Sequence, residues 1–284
     1  MAILGAHMSI VGGYHMAVVR AHQLDCNCVQ LFTKNGNQWR DRDVTDQEAR
    51  QFAAALAELR ITHPLAHDSY LINLASPNKG LWQKSVHALA AELRRADRLG
   101  IPYVVVHPGA ATDHDESGGI GRVIRALDQV HRRTRGIHTR TLLETTAGQG
   151  TTLGWRFEHL AAMLDGSKEP DRLGICFDTC HVFAAGYPLG TEEDYEATMR
   201  TVDATVGIRQ IKAFHLNDSS RAFGSRVDRH AHIGRGRMGL EPFRLLLHDP
   251  RFVGVPMYLE TPKGLENGVE LDTINLRTLR SLTR

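Results

Sequence analysis

The stretch ICFDTCH, residues 175–181, decides the fold. A short apolar run ends there in Asp178, and an imidazole follows three residues later at His181. A short apolar run is consistent with a strand that is buried on both faces, as in a parallel sheet. A carboxylate and an imidazole at the end of such a strand are ligands suited to zinc or a similar divalent ion.

The same pattern recurs along the chain, where other apolar runs also end in a carboxylate or an imidazole. The clearest cases are LAHD at His67, VVVHPG at His107, LLET at Glu144, KAFHLND at His215 and MYLET at Glu260. A parallel α/β barrel brings the carboxyl ends of all its strands to one rim and builds its site there. The pattern therefore predicts an α/β protein of the (β/α)8 TIM-barrel type with its site on that rim.

Eight strands alternate with helical patterns along the sequence. The predicted strands are Ile3–Ala6, Cys28–Phe32, Ile61–Ala66, Tyr103–Val106, Arg140–Leu143, Leu173–Phe177, Ile211–Phe214 and Val255–Leu259. The predicted helices are Tyr14–Gln23, Asp46–Arg60, Gly80–Leu99, Arg122–Arg135, Glu192–Val206 and Asp272–Leu282. Eight such units favour a closed barrel over an open sheet. The motifs GxxxxGK[ST] and GxGxxG are missing, and no linker interrupts the chain, so we expect residues 1–284 to form a single domain.

The composition limits the classes of partner. The formal net charge of the 284 residues is only +2, so contact with nucleic acid requires a local basic patch. The sequence contains no signal peptide and no apolar stretch long enough to cross a membrane, which favours a cytoplasmic protein. We expect the four cysteines to be free packing residues, because CFDTCH lacks the CxxCH spacing of haem attachment.

A second group of candidate ligands lies beside the rim. His181 follows Asp178, and the long polar segment 217–239 contains Asp228 and His230 in VDRHAH. Together with the strand-end residues these make nine ligands, more than one ion needs and enough for three if a carboxylate bridges. A cluster of several ions with carboxylate and imidazole ligands suits hydrolysis of a phosphate ester.

With these motifs in order, the chain resembles endonuclease IV, the second family of apurinic/apyrimidinic endonucleases, in the xylose isomerase-like barrel superfamily. The resemblance runs from GAHMS near the start to YLETP near the end. Its motifs are HDSYLINL from His67, HPG from His107, ETTAGQG from Glu144, GICFDTCHVFAAGY from Gly174, HLND from His215 and FGSRVDRHAHIGRG from Phe223.

The resemblance implies a trinuclear zinc site. His67, His107 and Glu144 would hold the first ion, and Glu144 would bridge to a second held by Asp178, His215 and Glu260. His181, Asp228 and His230 would hold the third, where Mn²⁺ is also suitable. Glu144 and Glu260 are the expected catalytic carboxylates.

The implied reaction is cleavage of double-stranded DNA 5′ to an abasic site. It leaves a 3′-hydroxyl and a 5′-deoxyribose phosphate, and the family also removes blocking groups from 3′ ends. The enzyme is expected to act as a monomer without membrane contact. The expected DNA contacts are Lys34, Asn35, Asn37, Gln38, Tyr70, Leu71, Arg226 and Arg229, with Arg221, Arg235 and Arg237 crowding the same loop as the last two.

One of these loops departs from the family pattern. Relatives carry an arginine at the tip of the second loop, where this chain has Gly36 and Asn37. We therefore expect Tyr70 and Leu71 to be the main wedge between bases, although the same two residues also suit a simple cap on the barrel rim.

Two other functions remain open at this stage. A sugar isomerase or epimerase on the same barrel would use Glu, Asp and His around one or two ions. A non-catalytic binder of damaged DNA would use the metals structurally. The extra group of His181, Asp228 and His230 and the arginine-rich loop favour the endonuclease.

Overall fold

A parallel barrel forms the centre of the molecule in the computed structural model, which describes residues 2–40 and 42–283. The strands are β1 (Leu4–Met8), β2 (Cys28–Phe32), β3 (Thr62–His67), β4 (Tyr103–Val106), β5 (Arg140–Glu144), β6 (Leu173–Asp178), β7 (Ile211–His215), β8 (Asp218–Ser219), β9 (His230–Ala231), β10 (Met257–Leu259), β11 (Leu265–Glu266) and β12 (Val269–Glu270). Within the described part, β1 to β7 and β10 close into a barrel in which neighbouring strands are parallel. The predicted fold class is confirmed.

Helices follow the barrel strands and pack around them. They are α1 (Tyr14–Gln23), α2 (Asp46–Glu58), α3 (Lys79–Arg98), α4 (Glu116–Arg133), α5 (Phe157–Gly166), α6 (Thr179–Ala185), α7 (Glu192–Thr205), α8 (Glu241–His248) and α9 (Leu271–Ser281). Short 3₁₀ turns occupy Pro170–Arg172, Ile208–Gln210 and Pro250–Phe252. In residues 2–40 and 42–283, no helix combines the length and apolarity that crossing a bilayer requires.

Side-chain caps explain where several helices begin. The Thr45 hydroxyl accepts from the Glu48 amide at 3.2 Å and the Glu48 carboxylate accepts from the Thr45 amide at 3.0 Å, which is a capping box. The Asp115 carboxylate accepts from the Gly118 amide at 2.9 Å, so α4 begins at Glu116, six residues earlier than the hydrophobic spacing predicts. The sequence-based prediction also missed the helices α5, α6 and α8.

Four strands reach one residue further than predicted, and each added residue is a candidate ligand. β3, β5, β6 and β7 end at His67, Glu144, Asp178 and His215. The last barrel strand begins at Met257 and not at the predicted Val255. Pro256 lies between the two positions and has no amide hydrogen to donate to a neighbouring strand.

The inside of the barrel is filled by one apolar layer. Its members are all buried: Cys28, Leu65, Val105, Leu142, Cys176, Ala213 and Tyr258. β1 contributes Gly5 at the same level, where an added Cβ would lie 2.1 Å from the Cys28 carbonyl oxygen. Alternation along a strand turns the residue two positions later towards the same side. The apolar layer is therefore the floor on which the next layer of side chains stands.

Candidate metal centre

The layer above that floor is polar on all eight barrel strands. Two residues beyond each member of the floor lie His7, Gln30, His67, His107, Glu144, Asp178, His215 and Glu260. Their ligand atoms converge in groups that each lie within 4.8 Å: His67, His107 and Glu144 in one, and Glu144, Asp178, His215 and Glu260 in another. The six predicted strand-end ligands thus meet at one place and form clusters that can bind metal ions.

The Glu144 carboxylate divides its two oxygens between these groups. Oε2 lies 3.1 Å from His67 Nε2 and 3.0 Å from His107 Nε2. Oε1 lies 2.9 Å from His215 Nδ1 and 3.3 Å from His181 Nδ1. A carboxylate that faces imidazoles with both oxygens has the geometry to be shared by two cations.

Burial and charge act in opposite directions on the pKa values of this cluster. Burial by itself would raise the pKa of the Glu144 carboxyl, but the facing His215 and His107 hold it well below its ordinary value. Burial would lower the pKa of His67, but hydrogen bonds with Asp68 and Glu144 raise it well above the ordinary value. The Glu144 carboxylate is therefore ionised, and protons and metal ions compete for the nitrogens of the rings that face it.

A third group lies at the edge of the cluster. The Asp228 carboxylate approaches His181 Nε2 at 3.1 Å and His230 Nε2 at 3.3 Å, and the two Nε2 atoms are 3.4 Å apart. The Asp228 side chain is 38% exposed, whereas that of Glu144 is fully buried. The predicted trio is thus assembled, with Asp228 as its solvent-facing member. Cys180 Sγ also lies within 4.8 Å of ligand atoms of Asp228 and His230.

Two residues of the polar layer were not predicted, His7 and Gln30. Gln30 Nε2 donates to Glu260 Oε1 at 2.5 Å and lies 2.9 Å from His7 Nδ1. Gln30 Oε1 lies 2.7 Å from His215 Nε2, so a proton on that nitrogen leaves Nδ1 to face Glu144 and Glu260. A polar residue inside the apolar run CVQLF was the available signal for Gln30.

The remaining imidazoles and carboxylates are held in the same way. His181 Nδ1 lies 2.8 Å from the Thr145 carbonyl oxygen, which leaves its Nε2 for Asp228. Asn217 donates to the Asp178 carboxylate at 2.7 Å and accepts from the Glu260 amide at 2.9 Å. These outer contacts orient the ligand atoms of His181 and Asp178.

A cavity of about 460 Å³ opens above the cluster. Its walls include Phe32, Tyr70, Arg229 and Lys263. Tyr70 is 67% exposed, and its ring meets the Phe32 ring edge-on at a centroid distance of 5.3 Å. Leu71 beside it is half-buried. A large aromatic ring that stands exposed beside a polar cavity is available to a flat ligand group.

Contacts of a buried lysine hold the second loop, which follows β2, in place. Lys34 is buried, and its ammonium group donates to the backbone carbonyls of Asn35 and Gln38 and lies 3.9 Å from the Glu92 carboxylate. Asn35, Asn37 and Gln38 are exposed. Ser69 donates to the Gly36 carbonyl at 2.5 Å and ties this loop to the one that carries Tyr70.

The two predicted arginines of the seventh loop take different positions. Arg229 is exposed at the cavity and donates to the Asp228 carbonyl at 2.6 Å. Arg226 lies over the ring of Trp155, with its Cζ 4.1 Å from the ring centroid. Of the other arginines in this loop, Arg235 pairs with Glu266.

Comparison with known proteins gives one family. Residues 18–280 match the model described as a xylose isomerase-like TIM barrel. A probable endonuclease 4 from Trichlorobacter lovleyi is 49% identical, over 98% of this chain and 99% of that protein. Endonuclease IV from Thermus thermophilus superposes with a TM-score of 0.87 at 37% identity, covering 98% of both chains.

A D-tagatose 3-epimerase-like protein superposes with a TM-score of 0.72 at 17% identity, over 98% of this chain and 96% of that one, which shows a common fold alone. The family model and the identity over nearly the full length are decisive: the chain belongs to the endonuclease IV family.

Proposed function

We propose that this chain is a metal-dependent DNA-repair endonuclease that hydrolyses the phosphodiester 5′ to apurinic/apyrimidinic sites. The products are a 3′-hydroxyl and a 5′-deoxyribose phosphate, and the same site removes blocking groups from 3′ ends. The observation that carries the proposal is the Glu144 carboxylate, shared between two groups of imidazoles below an open cavity. Membership of the endonuclease IV family supports it.

The nine predicted ligands would hold three zinc ions. His67 and His107 would hold one with Glu144, which also serves a second beside Asp178, His215 and Glu260. His181, Asp228 and His230 would hold the third, and the exposure of Asp228 makes this the site where Mn²⁺ exchanges most readily. The donor set supports the assignment, since it offers imidazole nitrogens and carboxylate oxygens whose outer hydrogen bonds aim them at common points.

Bound ions would lower the pKa of water and neutralise charge on the phosphate and on the departing oxygen. The residues of the protein position the groups that take part in the reaction. Gln30 contacts both Glu260 and His215. It would thereby keep the two proposed catalytic carboxylates, Glu144 and Glu260, in fixed positions relative to each other. Because Glu144 is fully buried, a phosphate has to reach it through the cavity, which favours a nucleotide that has left the base stack. Unstacking is easiest where a base is missing.

The double-stranded DNA would lie across the loops that surround the cavity. Tyr70 and Leu71 would replace lost stacking, and Asn35, Asn37 and Gln38 would contact the strand from the second loop. Arg229 would hold a phosphate. We assign Lys34 a different role from the one its sequence position predicts, because its ammonium group fastens the loop internally. All nine proposed ligands belong to the same chain, as action as a monomer requires, and the free buried thiols suit the cytoplasm.

Removal of the metals tests the proposal. Prolonged treatment with a strong chelator should abolish nicking of a duplex that carries one abasic site, and zinc or manganese should restore it. A ketose and aldose pair incubated in parallel tests the isomerase alternative, and binding without nicking would indicate a non-catalytic binder. Full nicking by protein that elemental analysis shows to be free of metal would refute the mechanism.

A further inference from the structure

Two arginines lie over the ring of Trp155, a residue that has no place in the proposed chemistry. The Arg226 Cζ atom lies 4.1 Å from the ring centroid, and the Arg156 Cζ atom lies 4.4 Å from it. Trp155 belongs to the segment that follows β5, whereas Arg226 belongs to the long segment that follows β7. The contact between Trp155 and Arg226 therefore joins two of the loops that build the rim.

The backbone of the first loop is shaped to fit this stack. Gly148 has a φ of 75°, and a Cβ atom there would lie 2.6 Å from the Trp155 ring and 3.0 Å from Arg226 Nε. Only glycine is tolerated at that distance and that backbone angle. Gly148 thus allows the chain to close tightly on the Trp155–Arg226 pair.

Arg226 is also held through its backbone. Its amide donates to the Ala184 carbonyl at 2.8 Å, and the Gly224 amide donates to the Phe183 carbonyl at 3.2 Å. The backbone of Arg226 is in the left-handed region, with a φ of 54°, which a non-glycine residue adopts only when its surroundings hold it there. The stack with Trp155 supplies one such restraint.

Two residues beyond Arg226 lies Asp228, the metal ligand that is most open to solvent. Its side chain is 38% exposed, while those of Glu144 and Asp178 are fully buried. The Asp228 amide donates to Gln149 Oε1 at 3.0 Å, a second contact to the loop after β5. Asp228 lacks the packing that fixes the buried ligands, so its position depends on how the loop around it is anchored.

We infer that Trp155 is a positioning residue: by stacking on Arg226 it holds Asp228 within reach of His181 and His230, and so sets the affinity of the third metal site. The inference rests on the proposed function for the identity of that site. It also assigns the Arg226 charge to a contact inside the protein. Outer residues that orient ligands typically change metal affinity about 10- to 100-fold.

Metal retention measured without DNA tests this directly. Wild-type protein and Trp155→Leu are titrated with a chelator of known zinc affinity, and zinc per chain is followed by elemental analysis. We expect Trp155→Leu to release about one third of its zinc at roughly 10- to 100-fold lower free chelator, while the rest follows the wild type. Trp155→Phe keeps an aromatic face and should restore most of the retention.

The two arginines provide a matched control, because both stack on the same ring at similar distances. Arg226→Ala should lose the same third of the zinc as Trp155→Leu, and Arg156→Ala should behave like the wild type. If Trp155→Leu and Arg226→Ala retain zinc like the wild type, the inference is wrong, even if nicking falls through weaker DNA binding. If the wild type itself holds no zinc or manganese, the proposed function fails, and this inference fails with it.

Discussion

The apolar layer and the polar layer inside the barrel lie on the same strands, two residues apart. Both contain buried side chains, but the chemistry of those side chains differs. The lower layer contains Leu142 and Cys176, which belong to one cluster of buried apolar side chains. The upper layer contains Glu144 and Asp178, which are equally buried but face imidazoles and amides. The backbone thus determines where a side chain points, while the identity of that side chain determines whether the position stabilises the barrel or binds a ligand.

The strongest test of this difference replaces one residue in each layer of β5. Glu144→Gln keeps the size of the side chain but removes the charge that would be shared between two cations. We expect nicking of abasic duplex to fall about 100- to 1000-fold, the usual effect of losing one charged contact to the reacting centre. Leu142→Met is the control, since a volume-conserving change in the lower layer usually costs less than about 1.5 kcal/mol. A normal rate and normal metal content in Glu144→Gln would show that Glu144 is not the bridging carboxylate.

A buried histidine outside both layers allows a further comparison, because its pKa shifts in the direction opposite to that of histidines in the metal centre. His131 on α4 is fully buried, and within the described residues neither ring nitrogen has a hydrogen-bond partner. Burial, followed by the nearby Arg172, lowers its pKa to about 4, whereas neighbouring carboxylates raise the pKa of His67 and His181. The unfolded chain therefore binds a proton at His131 between about pH 6.5 and pH 4 that the folded chain does not.

The stability associated with His131 is thus fully present above pH 6.5 and is lost as the pH falls through about 4. His131→Leu should reduce the acid-induced loss of unfolding free energy between pH 7 and pH 4 by on the order of 3 kcal/mol. Urea unfolding of metal-free protein at both pH values measures this, with His87→Leu on the exposed face of α3 as the control. An unchanged pH dependence in His131→Leu would mean that folding does not lower the pKa of this ring.

Substitution of Tyr70 tests whether the exposed part of the rim distinguishes abasic from intact DNA. Tyr70→Ala should weaken binding to abasic duplex by about 1–3 kcal/mol, the scale of one stack between an aromatic ring and a base. Metal content should not change, because the Tyr70 ring supplies no ligand atom: it packs edge-on against Phe32, and its centroid is 6.3 Å from that of His67. Tyr70→Phe should bind like the wild type. Equal losses on abasic and intact duplex, measured by fluorescence anisotropy, would identify Tyr70 as a rim cap that does not discriminate.

The smallest effect is expected at the second loop. Asn37 is exposed on a loop that is fastened from inside, so a longer side chain can be added without disturbing packing. Asn37→Arg should tighten abasic binding by less than about 1 kcal/mol, and the gain should shrink as salt rises, since a phosphate contact releases counterions. Asn37→Gln lengthens the side chain without charge and should show no such salt dependence.

The strand-end ligands could be predicted because the carboxyl ends of all strands in a parallel barrel lie at one rim, whatever segments connect the strands. One strand such as β6 defines the pattern, and its repetition at His67 and Glu144 defines the rim. The helix boundaries were less accurate where capping and not periodicity decides them, as at Asp115 before α4. The short helix α6 begins directly after its strand, at the Asp178 cap, so its residues resembled a loop.

The parts that could not be predicted depend on contacts between residues that are distant in sequence. The polar residue Gln30 inside the apolar run CVQLF marks an unusual position, but its partners His215 and Glu260 lie 185 and 230 positions away in the sequence. Lys34 was predicted to contact DNA from its place in an exposed loop, but its ammonium group turns inward to Glu92. Trp155 stacks on an arginine 71 positions away. Topology and the strand-end ligands could be predicted from local pattern, whereas contacts between side chains that are distant in sequence could not.

The four buried thiols make the protein a convenient subject for site-specific chemistry. Burial raises the pKa of Cys26 to about 12 and that of Cys180 to about 12, so the thiolate that reacts with maleimides is scarce at neutral pH. Val11 and Val253 are 74% and 83% exposed. A cysteine introduced at either position would carry a dye selectively on an otherwise wild-type chain. The motion of one labelled molecule along damaged DNA could then be followed without first removing the native cysteines.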